Sequence, residues 1–240
     1  AGALWEMPDL VPLPVDDDPR HIKWVMIVNV NPWSIAGGSG AMYFVGNFDG
    51  RTFVPDRVAP AGSDPAQFRW VDHGADFYAA GTFSGAPGAR PVAIAWMSNW
   101  DYAAKAPTAP WRGAMTLPRE FALKTIGGEP TLFVTPAAAF DAWADGRPAV
   151  HEGDLSVESA TRALSAATRG VVQRITVTIE PRRAARAGVI VRGSADGAIG
   201  TRIVYDTAKR TLTLDRSRSG STDFAGNFSR EHIVDLPLEN

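Results

Sequence analysis

The sequence predicts an all-β protein, and three observations carry that reading. Runs of about five to eight residues rich in β-branched and aromatic side chains recur along the chain. The 23 glycines and 18 prolines are spread between these runs as turn punctuation and are not collected in a linker. No long stretch repeats apolar residues at helical spacing with caps at its ends, apart from the Ala-rich segment Thr135 to Ala144 with Phe140 and Trp143, which predicts a short helix. A sandwich, a barrel and a propeller all fit this pattern.

The runs can be taken in order. Lys23–Val30 reads as the first strand and Ala41–Gly46 as the second. The turn Asn47-Phe48-Asp49-Gly50 then leads into Arg51-Thr52-Phe53. Asp76–Ala80 and Val92–Met97 continue the series. All eight tryptophans lie at or before Trp143, and the texture changes near residue 145. Beyond it come cleaner alternations at Val171–Glu180, Gly188–Arg192, Thr201–Tyr205 and Thr211–Asp215. These predict strands with one buried and one wet face, as in an antiparallel sandwich. A boundary is therefore expected at 135–150, between an aromatic, turn-rich part and a plainer β module.

Composition limits the function classes. A length of 240 residues suits one large domain or two modest ones. Apolar residues at 45% and charged residues at 21% are an ordinary globular balance. The net charge of −2 offers no basic field for nucleic acid or an anionic membrane. No apolar run approaches the ~20 residues that span a bilayer. With no cysteine, the chain has no disulfide, thiolate metal site or cysteine nucleophile. It opens on Ala1-Gly2-Ala3-Leu4-Trp5 without an initiator Met and stops just after an apolar alternation, so both ends read as cuts.

The chemistry-bearing strings are few. No GxxxxGK, HExxH or GxSxG string occurs. Gly37-Gly38-Ser39-Gly40 lacks the strand-to-helix context of a nucleotide loop, and His21, His73, His151 and His232 lack the spacing of metal ligands. Neither a cofactor nor a metal is expected. Seven tryptophans, from Trp5 to Trp111, fall within 111 residues. They fit either core packing, because an indole buries a large area, or a sugar site, where ring faces stack on indoles and hydroxyls meet carboxylates. The string Trp5-Glu6-Met7-Pro8-Asp9-Leu10 places a carboxyl beside an indole and before a proline. An apolar neighbour desolvates a carboxyl and favours its protonated form, as a general acid requires. By itself the signal is weak, because an isolated Glu is usually solvated surface.

That string resembles the acid/base motif of glycoside hydrolase family 32, the invertases, levanases and exo-inulinases, with Met7 where Cys is commonest. The resemblance continues through Lys23-Trp24-Val25-Met26, Asn31-Pro32, Gly37–Gly40, Tyr43–Gly46 and Phe48-Asp49-Gly50. It extends to Asp72–Ala79, Trp96–Tyr102, Pro107-Thr108, Trp111-Arg112, Pro118-Arg119-Glu120 and, in the second part, Leu214-Asp215-Arg216-Ser217. It implies the C-terminal part of a five-bladed β-propeller over 1–135 and an incomplete β-sandwich over 145–240. It also implies retaining, exo-acting hydrolysis of β-fructosidic bonds in levan, inulin or sucrose, in an extracellular or periplasmic setting. Retention needs two carboxyl groups about 5–5.5 Å apart, a nucleophile and an acid/base.

Carried over position by position, the resemblance implies that Glu6 is the acid/base, that Trp100 lines the fructosyl pocket, that Asp76 meets substrate hydroxyls at its rim, and that Trp33 reaches the aglycone side. Core packing for Trp100 and a turn role for Asp76 stay open beside these. Arg112, Arg119 and Glu120 are expected to pin strands through ion pairs. The family's nucleophile string, Trp-Met-Asn-Asp-Pro-Asn-Gly, and its Arg-Asp-Pro string do not occur; Asp17-Asp18-Pro19-Arg20 and Asp64-Pro65 do not match them. The 240 residues alone are therefore expected to be inactive. Two further readings remain: a non-catalytic fructan-binding protein on the same scaffold, and a β-rich interaction module.

Overall fold

A computed structural model describes residues 4–60, 62–86, 90–145 and 172–236, together with 150, 151, 153, 157, 161–164 and 170. Among these the protein is nearly all β, in two sheets. The first sheet begins with β1 (Leu4–Val15), β2 (Asp18–Asn31), β3 (Gly40–Phe48) and β4 (Phe53–Pro55), an antiparallel meander. A short β5 (Arg69–Trp70) pairs with β3. A second antiparallel meander follows, with β6 (Tyr78–Thr82), β7 (Val92–Trp96), β8 (Arg119–Ile126) and β9 (Glu129–Pro136). One parallel pairing, Val15 with Leu123, joins the two meanders.

The expected strands at 23–30 and 41–46 fall within β2 and β3, those at 76–80 and 92–97 overlap β6 and β7, and the expected short helix is α1 (Ala139–Asp145). The strand β1 has no counterpart among the expectations, because Pro8, Pro12 and Pro14 argue against a central strand. It is tolerated because, among the described residues, β1 pairs along its length only with β2 and leaves its other edge open up to Val15, where a missing N–H breaks no ladder. Val11, Leu13 and Val15 alternate with those prolines and point into the core. The β8–β9 hairpin likewise has no counterpart among the expected strands. It turns through Gly127 (φ 58°) and Gly128 (φ 84°), a Gly-Gly pair in the left-handed region that hairpin turns use.

The two meanders share one core. Leu13, Val15, Val25, Ile27 and Tyr43 from one meet Phe77, Ala95, Phe121, Leu123 and Leu132 from the other in one buried cluster. The second sheet is an antiparallel meander of β10 (Arg186–Val191), β11 (Thr201–Asp206), β12 (Thr211–Asp215) and β13 (Glu231–Asp235). The strand expected over 171–180 is not formed over 172–180, and Val171 lies outside the described residues. Alternation alone supplies a face; a ladder also needs a partner edge. Ile175, Val177 and Ile179 instead lie over Val189, Ile203 and Leu212, lining an apolar groove of about 260 Å³.

A third cluster joins the two sheets. Ala75 and Tyr102 from the first part are buried with Ala225, and Phe224 and Phe228 pack against them. Tyr102 meets Phe228 edge-on at 5.2 Å. No helix of the described residues is long and apolar enough to cross a membrane.

Phe121 is wholly buried between the meanders. Phe121→Ala is expected to destabilise the protein by about 3–5 kcal/mol, read as a lower denaturant midpoint.

Candidate active site

Glu6 lies on β1 opposite Asn29 of β2. The register then slips by one residue between Glu6 and Asp9, and Met7 takes a φ of 45° at the bulge. A non-glycine residue rarely adopts this backbone, and such outliers collect at functional sites. The bulge is held by Asn29, which is fully buried. Its Nδ2 donates to the carbonyls of Met7 and Ala80, each at 3.2 Å, and its Oδ1 accepts from the Ala80 N–H at 2.9 Å. Asp9 adds a second tie, accepting from the Thr82 N–H at 2.6 Å. These bonds bring the start of β6 beside β1 although the two strands do not pair.

As a result, the buried Tyr78, first residue of β6, donates its hydroxyl to Glu6 Oε2. Burial pushes the Tyr78 phenol up, and the Glu6 carboxylate pushes it further. Tyr78 therefore stays a donor throughout the working pH range. Its ring lies 6.4 Å from Trp96, whose ring lies 5.0 Å from Trp100. The Trp100 ring is open to solvent, at 57% exposure. A half-open indole beside a tyrosine-held carboxyl suits the apolar face of a sugar ring.

The loop under Trp100 is built around Asn99. Asn99 is buried, its Nδ2 lies 2.9–3.1 Å from the carbonyls of Gly37, Ser39 and Ala75, and its Oδ1 accepts from the N–H groups of Ser39 and Asp101. The Trp100 N–H donates to Ser39 Oγ at 3.1 Å. Gly38 (φ 59°) must be glycine here, since a Cβ would stand 2.0 Å from Asn99 Oδ1. The glycine-rich run is thus the seat of the Trp100 loop.

Of the other tryptophans, Trp70 is core and Trp24 packs edge-on against Phe48, whereas Trp5, Trp33 and Trp111 are exposed. Trp5 stacks on Phe44 at 6.1 Å. Trp33 (φ 97°) stands just past the end of β2, with its ring edge-on to Phe68 at 5.0 Å. Asp76 lies two residues before Tyr78, yet its carboxylate faces the second sheet: Oδ1 accepts from the Tyr102 hydroxyl and Oδ2 pairs with Arg216. Arg119 pairs with Asp72 at 2.6 Å and lies over the Phe77 ring, as the expected strand-pinning requires. Arg112 instead holds the carbonyls of Ala104 and Ala106, and Glu120 accepts from the Ala138 N–H ahead of α1. Tyr78, Asn29 and Asn99 were missed as site residues. Tyr78 lies inside the 72–79 string, but nothing local says which carboxyl its hydroxyl meets.

Residues 1–136 match the model of the glycosyl hydrolases family 32 N-terminal domain, and 144–240 match the family's C-terminal model. The chain belongs to glycoside hydrolase family 32. It is 38% identical over 233 residues to an extracellular exo-inulinase of Aspergillus awamori, covering 95% of this chain and 42% of that protein. It is 36% identical over 232 residues to a levanase of Bacillus subtilis, covering 95% of this chain and 33% of that protein. The crystal structure of the A. awamori exo-inulinase superposes with a TM-score of 0.78 at 33% identity, over 98% of this chain and 45% of that one. The chain thus spans less than half the length of these relatives.

Two outcomes follow. Tyr78→Phe in the complete protein is expected to lower kcat/KM roughly 10- to 100-fold, the worth of a hydrogen bond to a charged group; initial-rate kinetics check this. His232, on β13, has a buried Nε2 without a hydrogen-bond partner among the described residues. Burial and the nearby Arg216 hold its pKa below the usual histidine value, against weaker opposing pulls from Asp76 and Asp72. The unfolded chain therefore takes up this proton first, so the stability it contributes is complete above about pH 6.5 and is lost as pH falls below that. Denaturant midpoints between pH 7.5 and pH 5 should show this loss, reduced in His232→Gln.

Proposed function

We propose that the protein is a retaining, exo-acting β-fructofuranosidase that hydrolyses fructans of the levan or inulin type, and sucrose, with Glu6 as its acid/base. The observation that carries the proposal is the Tyr78 hydroxyl on Glu6 Oε2, at the head of an aromatic row that ends on the exposed Trp100. Support also comes from relatives named exo-inulinase and levanase. In this reading residues 1–135 are later blades of a five-bladed β-propeller and 145–240 are part of a β-sandwich. The setting is extracellular or periplasmic, as for the relatives named extracellular.

In the first step a nucleophilic carboxylate attacks the anomeric carbon, the glycosidic C–O bond breaks, and Glu6 gives its proton to the leaving oxygen. In the second step Glu6 takes a proton from water, and the hydroxide displaces the enzyme carboxylate and restores it. Tyr78 holds the Glu6 oxygen in place through both steps. Trp100 offers the face on which the fructosyl ring rests, and Trp33 borders the aglycone side. The nucleophile is supplied from outside these 240 residues, which carry no Asn-Asp-Pro-Asn string.

Glu6→Gln in the complete protein should lower kcat on levan, inulin and sucrose by on the order of 10²–10⁴-fold while fructan still binds. Fructan binding without turnover in the unmodified complete protein would instead indicate the non-catalytic binding reading. The 240-residue chain alone should release no reducing sugar.

A further inference from the structure

We propose that Arg216, which belongs to the second sheet, is a positioning residue that holds Tyr78 against Glu6 by anchoring Asp76. The proposal rests on the reading of Glu6 as acid/base. Arg216 directly follows β12 and is 9% exposed. All three of its guanidinium nitrogens are engaged: Nε donates to the Phe228 carbonyl at 2.6 Å, Nη1 to Asp76 Oδ2, and Nη2 to the Tyr102 hydroxyl at 2.9 Å. The plane is fixed as well, with the Phe228 ring 4.1 Å and the Tyr102 ring 5.4 Å from its central carbon. Such a fork has one orientation, which a lysine cannot reproduce.

What the fork grips is part of the site. Asp76, Phe77 and Tyr78 are consecutive: Asp76 is held by Arg216, Phe77 is buried in the main core, and Tyr78 donates to Glu6. With Phe77 as pivot, displacement of Asp76 is transmitted over two residues, about 7 Å, to the hydroxyl that holds the acid/base. Tyr102 lies two residues beyond Trp100 and is held by the same fork. The Trp100 loop keeps its own seat on Ser39 and Asn99, so the fork acts on the site through Asp76. Removing the Arg216 cation leaves the half-buried Asp76 carboxylate with the Tyr102 hydroxyl but no opposite charge, which drives it to move. Beside the rim contact expected of Asp76, this gives it a bracing role.

The test uses the complete protein with Arg216→Gln, Arg216→Lys and Tyr78→Phe. Arg216→Gln is expected to lower kcat about tenfold with KM little changed. In the Tyr78→Phe background the same substitution should cost less than about twofold, because the two act through one hydrogen bond. Arg216→Lys keeps the charge without the fork and should recover only part of the loss; it also serves if Arg216→Gln does not fold. A second readout needs no turnover. In protein labelled at tyrosine ¹³Cζ, the Tyr78 resonance, identified by its disappearance in Tyr78→Phe, should shift in the Arg216 variants. A Tyr78 resonance left at its native position while that of Tyr102 moves would overturn the proposal, as would additive kinetics. If the unmodified complete protein released no fructose, the hydrolase reading alone would fall, and the Tyr78 resonance would still decide the role of Arg216.

Discussion

Between Glu6 and Asp9 the first strand slips one residue against its neighbour, and the Asn29 side chain occupies the break. Both its polar ends are used, on Met7 and on Ala80, in a setting from which water is excluded. A buried amide left half-satisfied would cost on the order of 1–3 kcal/mol, so only one placement of β6 against β1 satisfies it. That placement puts Tyr78 on Glu6. β1 and β6 lie at separate positions in the sheet and share no ladder. Side chain to backbone bonds therefore do what strand pairing does elsewhere.

The same device recurs at the neighbouring wall. Asn99 gathers the carbonyls of Gly37, Ser39 and Ala75, and the Trp100 loop rests on them. Buried polar hubs of this kind specify an arrangement more sharply than apolar packing, because each unmade bond is costly in a low dielectric. Arg216 is the third such hub. It differs in coming from the other sheet, so the joint between the two parts is polar at its centre and aromatic around it, with Phe224, Phe228 and Tyr102 enclosing the ion pair. The aromatic enclosure limits water and strengthens the pair that it surrounds.

Much of this was legible in order along the chain. The strands carrying alternating or continuous apolar runs, β2, β3, β6, β7 and β10 to β12, announced themselves, as did the short helix. The strand β1 did not, since three prolines are a fair argument against a strand until its open edge is known. The run 172–180 shows the converse failure: its alternation is genuine, yet it forms no ladder among the described residues. The ion pairs expected of Arg112 and Glu120 also depended on distances that a motif does not encode; among the described residues only Arg119 of the three meets an oppositely charged group in that way.

By itself, then, the sequence determined the all-β class, the change of texture near residue 145, the family, and the position of the candidate acid/base in Trp5-Glu6-Met7-Pro8-Asp9. These are properties of periodicity and of ordered local strings. Only the tertiary structure decided which groups meet Glu6 and Asp76. Tyr78 lies 72 residues from Glu6, and Arg216 lies 140 from Asp76. Contacts at that separation are set by how a bulge, a buried amide and a packed ring orient whole strands. No residue type or spacing along the chain records that geometry.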